Sequence, residues 1–320
     1  MPAQNRKKRP ETLISVVLCT HNRADLLDLA LKSLLDQKFP RRDFEVLIID
    51  NALTDHTPQI VAQYDSANIM HYIYEPKIGL CNARNTGWQA ARGRFIAYLD
   101  DDGLAEPGWL AAIQTAFASH PSGVGVLGGR VQPIWEQPRP SWLADAIAYS
   151  LTIVDWGDEP KFINDLSCEW LVGANMVIPK QVLAEMGGFH PRLGRVGGSL
   201  VGGEDVFLQK QALSRGYRCL YWPEAAIQHL VPAARLNPEW FLRRYYWQGV
   251  SDAVMFLAEQ SPPPTDYINI ALSRNKRLQG RTSRICWPLT APKNPDQFTD
   301  ACLALVDAGF VAGLLGAAGH

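Results

Sequence analysis

The sequence has no excess of charge. Its 31 lysines and arginines face 32 aspartates and glutamates, for a formal net charge of −1, so no chain-wide field draws it to nucleic acid. There is no CxxC pair among the six cysteines, Cys19, Cys81, Cys168, Cys219, Cys286 and Cys302, and their spacing is irregular. That pattern argues against a zinc site or a disulfide framework and reads as reduced thiols in a cytosolic protein. No apolar h-region follows the N-terminus, so no secretory signal is expected. No run reaches about 20 uninterrupted apolar residues, so no membrane-spanning helix is expected. The nearest approach is ACLALVDAGFVAGLLGAAGH at 301–320, which Asp307 interrupts. Internal repeats and low-complexity tracts are absent. The one basic run, NRKKRP at 5–10, belongs to a tail over 1–12 that reads as solvated and disordered, or as weakly attracted to anionic lipid headgroups.

What is present is a core-forming chain of 320 residues, 47% hydrophobic, enough for one large domain or two smaller ones. Its first part alternates strand and helix signals. LISVVLCT (13–20), FEVLIID (44–50), IMHYIYE (69–75) and RFIAYLD (94–100) are short β-branched or apolar runs of buried-strand type. Between them, ADLLDLALKSLLDQ (24–37), HTPQIVAQYDS (56–66) and LCNARNTGWQAAR (80–92) carry helical spacing, and PGWLAAIQTAFASH (107–120) follows with proline near its first turn. Asn22 is a candidate cap for the first helix. The second part is less regular. It holds a glycine-interrupted strand at 123–135, a strand pair or bend at 168–180, a helix from Glu204 to about Tyr217, a short strand RCLYWP, and a long helix at 238–260. A proline cluster at 262–264 precedes a basic segment and the apolar C-terminus.

A β-α-β-α rhythm implies a mainly parallel sheet flanked by helices, with ligands at the carboxyl ends of the strands. Those ends carry Thr20-His21-Asn22, Asp50-Asn51 and Asp100-Asp101-Asp102. Two strands thus deliver carboxylates to one crevice, where mutual repulsion favours a cation or ligand donors in the space between them.

The ordered set ISVVLCTHNRADLLDLALKSLLDQ, FEVLIIDNALTD, GLCNARNTGWQAARGRFIAYLDDD and GGEDVFLQKQALSRGY resembles the family 2 glycosyltransferases, over about residues 13–260. The resemblance implies a GT-A, Rossmann-like α/β fold with a C-terminal helical extension. It divides the chain into the tail, a domain at 13–260 (a nucleotide-sugar half at 13–122 and an acceptor and catalytic half at 123–260) and an extension at 261–320. It implies an inverting transfer from a nucleoside-diphosphate sugar to a hydroxyl of a glycan, polysaccharide or lipid-linked sugar, assisted by manganese or magnesium. Asp102 corresponds to the usual metal ligand, and His229 lies where some relatives carry a metal-binding histidine; a core histidine is the alternative. Asp101 would approach the ribose and Asp100 would share these contacts. Thr20, Asn22, Asp50 and Asn51 would line the nucleotide pocket, although the family commonly has an acidic residue at position 51. Arg84 would reach the nucleotide, or pair with the acidic cluster. Asp205 would be the general base, with Glu204 orienting it or touching the acceptor.

FLRRYYWQG (241–249) does not match the Q-x-x-R-W motif of processive relatives, so a non-processive enzyme is expected. One of Arg243 and Arg244 is a candidate diphosphate contact, with a solvated helix face as the alternative. Trp135, Trp142, Trp156 and Trp170 are candidate sugar platforms or core residues. A nucleotidyltransferase would need a glycine- and lysine-rich loop after the first strand, which LCTHNRADLL lacks; an inactive sugar- or nucleotide-binding module is the other alternative. The expected location is cytoplasmic, peripheral at the inner face of the membrane if the C-terminal segment lies on a bilayer rather than packing on the domain.

Overall fold

The computed structural model describes residues 13–318 apart from 52–53, 65–67, 283–291 and 293. Cys286 and the basic run at 5–10 lie outside the described residues. In chain order the elements are β1 (Ile14–Thr20), α1 (Ala24–Leu35), β2 (Phe44–Asp50), α2 (Thr57–Ala62), β3 (Met70–Tyr74), α3 (Leu80–Ala90), β4 (Phe95–Asp100), β5 (Gly103–Ala105) and α4 (Trp109–Ser119). There follow β6 (Val124–Gly128), β7 (Val131–Trp135), α5 (Asp145–Ala148), β8 (Lys161–Ile163), β9 (Asn175–Pro179), α6 (Lys180–Met186), α7 (Glu204–Ser214), β10 (Arg218–Tyr221) and β11 (Ile227–Val231). The chain closes with α8 (Pro238–Gln260), α9 (Tyr267–Thr282) and α10 (Pro295–Ala318).

An eight-stranded sheet runs β3-β2-β1-β4-β9-β6-β10-β8. The β3-β2-β1-β4 block is parallel, β9 is antiparallel to both neighbours, and β6 and β10 are parallel again. β1, β2 and β4 are almost wholly buried, which is why their apolar runs do not alternate. A second sheet, β5-β11-β7, sits beyond the end of β4. Its β5 begins directly after the aspartate triplet and pairs antiparallel with β11, setting His229 opposite Gly103.

Three expectations are corrected. Residues 123–135 form two strands in different sheets, not one. The break falls at Gly129, where a Cβ would lie 1.9 Å from the carbonyl oxygen of Ala225; only glycine lets the two backbones meet there. Asn22 does not cap α1. It takes a left-handed φ of 55°, its side chain accepts from Thr54 Oγ1, and the cap position is Arg23. Asp55, from a distant loop, accepts the Ala24 N–H at 3.1 Å instead. The third concerns the C-terminus. By length and composition alone, α10 is apolar enough to cross a membrane over Pro295–Ala317, despite Asp296, Asp300 and Asp307 within that span.

α10 nevertheless packs on the domain. Phe298 meets Trp142 and Phe241 in an aromatic cluster, with ring centroids 5.1 Å and 6.4 Å away. Buried Asp307 pairs with Arg274 of α9 at 3.2 Å. The backbones of α8 and α10 touch through glycine: a Cβ on Gly249 would stand 2.0 Å from the Val306 carbonyl oxygen, and one on Gly309 would stand 1.9 Å from that of Tyr246. The five described cysteines are unbridged.

This contact predicts opposite outcomes for two like substitutions. Gly249→Ala should destabilise by about 1–3 kcal/mol through overpacking. Gly316→Ala, where nothing lies within 4 Å, should be neutral or raise stability by up to about 1 kcal/mol through helix propensity. Urea unfolding of both variants distinguishes a docked α10 from a loose one; equal effects would reject docking.

Candidate active site

The site begins where β1, β2 and β4 end. Thr20 Oγ1, from β1, donates to Asp101 Oδ2 at 2.9 Å. Asp50, at the end of β2, is buried and accepts from the Tyr72 hydroxyl at 2.8 Å. Asn51 turns towards the crevice with its amide committed: Nδ2 donates to the carbonyls of Glu75 at 2.9 Å and Lys77 at 3.0 Å, and Oδ1 accepts the Gly79 N–H at 2.7 Å. It thereby holds the 75–79 loop against the pocket. Gly79 has a φ of 137° there, open to glycine and to few other residues. Thr20, Asn51, Asp100, Asp101, Asp102 and His229 all face one cavity of about 340 Å³. Asp50 and Asn22 do not line it.

The three adjacent carboxylates have separate partners. Arg23 bridges two of them, with Nη1 at 2.6 Å from Asp101 and Nη2 at 2.8 Å from Asp102. Asp102 also meets His229 Nε2 at 3.1 Å and Arg235 at 3.7 Å. Arg84 takes Asp100 at 3.1 Å. The consequences diverge. Burial, reinforced by Asp102 and Asp100 and only partly offset by Arg23, pushes Asp101 up to about 7. Burial raises Asp102 too, but the hydrogen bond and charge of His229, with Arg23 and Arg235, outweigh it and hold Asp102 well below the usual carboxylate range.

Asp100, Asp102 and His229 offer ligand atoms within 4.8 Å of one another. Two carboxylates and an imidazole suit a hard or borderline divalent ion, and His229 Nδ1 is a buried nitrogen with no partner among the described residues. The donor set fits such an ion.

A second cavity of about 800 Å³ adjoins the first and shares Asp100, Thr152 and Arg195 with it. Glu204 and Asp205 open α7 on its wall, following Gly203 in the left-handed conformation. Glu204 is buried and paired with Arg84 at 2.8 Å. Burial and then Asp205 raise its pKa, against the pull of Arg84. Asp205 is half-buried, and backbone amides fix its orientation: Oδ2 accepts the Gly173 N–H at 3.0 Å and Oδ1 its neighbour Val206 N–H at 2.8 Å. Arg84 therefore pairs with the acidic cluster and does not reach the first cavity. Its guanidinium leaves no room for a side chain at Gly173, where a Cβ would approach Nη1 to 2.6 Å.

Of the four middle tryptophans, Trp170 lines the second cavity. Trp156 supports it by donating Nε1–H to the Trp170 carbonyl at 2.8 Å. Trp142 belongs to the α8–α10 core and Trp135 packs at its edge. Arg243 is exposed, whereas Arg244 lines the second cavity. Sequence reasoning missed Arg23, Arg195 and Arg235. Arg23 sits inside the quoted THNR stretch and Arg195 in the glycine-rich run, so position could have flagged both; Arg235 carries no local signal.

A mainly parallel sheet with carboxylates at its strand ends, and a small second sheet that delivers a histidine to them, is the GT-A architecture. The family model of Glycosyl transferase family 2 matches residues 15–176, and the chain belongs to that family: it is a glycosyltransferase. It is 27% identical over 316 residues to the succinoglycan biosynthesis protein ExoM of Rhizobium meliloti, covering 96% of this chain and 94% of that one. It is 25% identical to the glucosyl-dolichyl phosphate glucuronosyltransferase of Haloferax volcanii over 76% of this chain and 77% of that one. The mannosyltransferase PcManGT of Pyrobaculum calidifontis, solved with GDP-Man and Mn2+, shares the fold with a TM-score of 0.60 at 19% identity, over 97% of this chain and 88% of that one. Several other relatives are matched over less than half their length.

Arg84→Met leaves Asp100 and Glu204 without their shared cation. The expected cost is about 3–5 kcal/mol, the range for breaking a buried pair, with partial recovery in Arg84→Lys. Chemical denaturation measures both; a loss below about 1 kcal/mol would make the pairing dispensable.

Proposed function

We propose that this enzyme transfers a sugar, with inversion, from a nucleoside-diphosphate sugar to a hydroxyl of a glycan or lipid-linked acceptor. The observation that carries this reading is the pair of adjoining cavities. One holds the carboxylate and imidazole set; the other holds Asp205; Asp100, Thr152 and Arg195 border both. A donor seated across that border would present its anomeric carbon to an acceptor beside Asp205.

In this reading the nucleoside occupies the first cavity near Thr20 and Asn51, with Asp101 towards the ribose. Asp100, Asp102 and His229 would hold a divalent ion. When bound, that ion supplies Lewis-acid stabilisation to the leaving diphosphate. Arg195 and Arg235, both lowered in pKa chiefly by burial, stand beside the same space as charged donors for phosphate oxygens. Asp205, aimed by its two backbone amides, accepts the acceptor proton as the hydroxyl attacks. Such general-base assistance is worth roughly 100- to 10,000-fold. One displacement suffices, so no protein nucleophile is assigned. Glu204, held by Arg84, positions Asp205 at the start of α7. Residues 13–122 then form the nucleotide half, 123–260 the acceptor and catalytic half, and 261–320 an extension.

A screen of UDP- and GDP-sugars with manganese tests this. The wild type should bind at least one nucleotide more tightly with the ion than without. Asp102→Ala should abolish that ion dependence. Asp205→Asn should lower kcat by roughly 100- to 10,000-fold and leave nucleotide affinity within about twofold. Failure of every nucleotide to bind, or an Asp205→Asn enzyme with full kcat, would reject the reading.

We also propose peripheral contact with the cytoplasmic membrane face through α9. Ile268 and Leu272 are exposed, and Lys276 continues the same face with Arg277 beside it. Apolar residues next to exposed cations suit an anionic bilayer surface. The protein should co-sediment with vesicles containing phosphatidylserine and not with neutral ones, and an Ile268→Ser, Leu272→Ser double variant should lose most of this. Equal recovery with both vesicle types, or with neither, would count against the contact.

A further inference from the structure

Arg244 is the one guanidinium on the second cavity whose environment the proposed chemistry leaves unexplained. It projects from α8 and lines that cavity but not the first. Its Nε and Nη1 are buried and have no hydrogen-bond partner among the described residues. Its Nη2 lies near Gly202, 3.7 Å from where a Cβ there would stand, beside the start of α7. The acidic groups closest in influence are Glu204 and Asp205, and both are engaged elsewhere. Glu204 is paired with Arg84, and each Asp205 oxygen accepts a backbone N–H. Of the other cations on this wall, Arg84 is held by Asp100 and Glu204, Lys210 meets Glu259 at 2.9 Å and Arg274 meets Asp307, while Arg195 also borders the first cavity, where the donor phosphates are assigned to it.

An unpaired buried charge is costly unless a ligand completes it. A neutral sugar hydroxyl would leave most of that cost in place, whereas a phosphate offers several acceptor oxygens and the opposite charge, to which a guanidinium binds in fork geometry. We infer that the second cavity receives an acceptor bearing a phosphate near its reacting hydroxyl, and that Arg244 recognises that phosphate. This rests on the second cavity being the acceptor side. The cavity is also lined by Met255, Phe256, Val306 and Phe310, among the charged Asp252, Glu259, Lys210 and Arg274, so the phosphate can belong to a lipid phosphodiester as well as to a free sugar phosphate.

The test uses the full chain with its nucleotide site filled by UDP or GDP and manganese, and follows the thermal midpoint on adding glucose, glucose 1-phosphate or dodecyl phosphate. The two phosphates should raise the midpoint and glucose should not; tighter binding of dodecyl phosphate assigns the lipid source, and tighter binding of glucose 1-phosphate the soluble one. Arg244→Gln should weaken phosphate binding about ten- to a hundred-fold, as loss of a charged hydrogen-bond pair implies. It should leave nucleotide affinity within about twofold, and Arg244→Lys should fall between. The inference is overturned if neither phosphate binds with the nucleotide site filled, if Arg244→Gln leaves phosphate affinity unchanged, or if it weakens the nucleotide equally, which would put Arg244 on the donor. Should no nucleotide bind at all, the donor reading fails, and the same phosphate comparison on the unliganded protein decides for or against Arg244.

Discussion

Arg84 is the interaction on which the two halves of the site depend. It leaves α3 in the first half of the chain and joins Asp100, at the end of a central strand, to Glu204, at the head of α7. Buried Glu204 could not stay there alone without losing its charge or its place, whereas Asp100 keeps about one-third of its side chain exposed. Sharing one guanidinium lets Glu204 stay inside and ties it to the end of β4 through Asp100, which fixes how far α7 stands from the sheet. Tyr98 and Phe189 flank the same guanidinium, at 5.8 Å and 5.4 Å from their ring centroids, so its position is set by packing as well as charge. Asp205 follows Glu204 directly, and its aim towards the second cavity descends from this pairing.

The aspartate triplet shows how a fold separates three like charges without moving them apart in sequence. Asp100 belongs to Arg84, Asp101 to Arg23 and Thr20, Asp102 to His229, Arg23 and Arg235. The result is one carboxylate held ionised and its neighbour pushed towards neutrality within two adjacent residues. The short β5–β11 pairing makes this possible, because it sets the histidine across from the glycine that follows the triplet.

Much of this was legible. β1, β2 and β4 announced themselves as uninterrupted apolar runs, and α8 matched its periodic segment end to end. The aspartate triplet at the end of β4 pointed to the crevice, whereas Asp50 at the end of β2 does not line it and accepts from Tyr72. What was not legible depends on partners distant in sequence. The split at Gly129 exists because Ala225 arrives from β11's approach. The cap of α1 comes from Asp55, where a local reading picked Asn22. Arg23 and Arg235 gain meaning only when the fold turns them onto Asp102. His229 was singled out through family likeness, since its own neighbours, Gln228 and Leu230, say nothing about a ligand.

The glycine contact between α8 and α10 has a consequence for substrate choice. α8 contributes Arg244 and Gln248 to the second cavity, and α10 contributes Leu303, Val306 and Phe310. The two helices, touching through glycine, together form one stretch of that cavity's wall. Because the helices meet backbone to backbone at Gly249 and Gly309, their spacing is gauged by main-chain atoms, and only the side chains that line the cavity remain to set its room. Exchanging the lining would therefore reshape the cavity without moving the helices, whereas a slip of α10 by one helical turn, about 5.4 Å, would remake the wall altogether. The C-terminal helix is less an appendage than the sizing jaw of the second cavity.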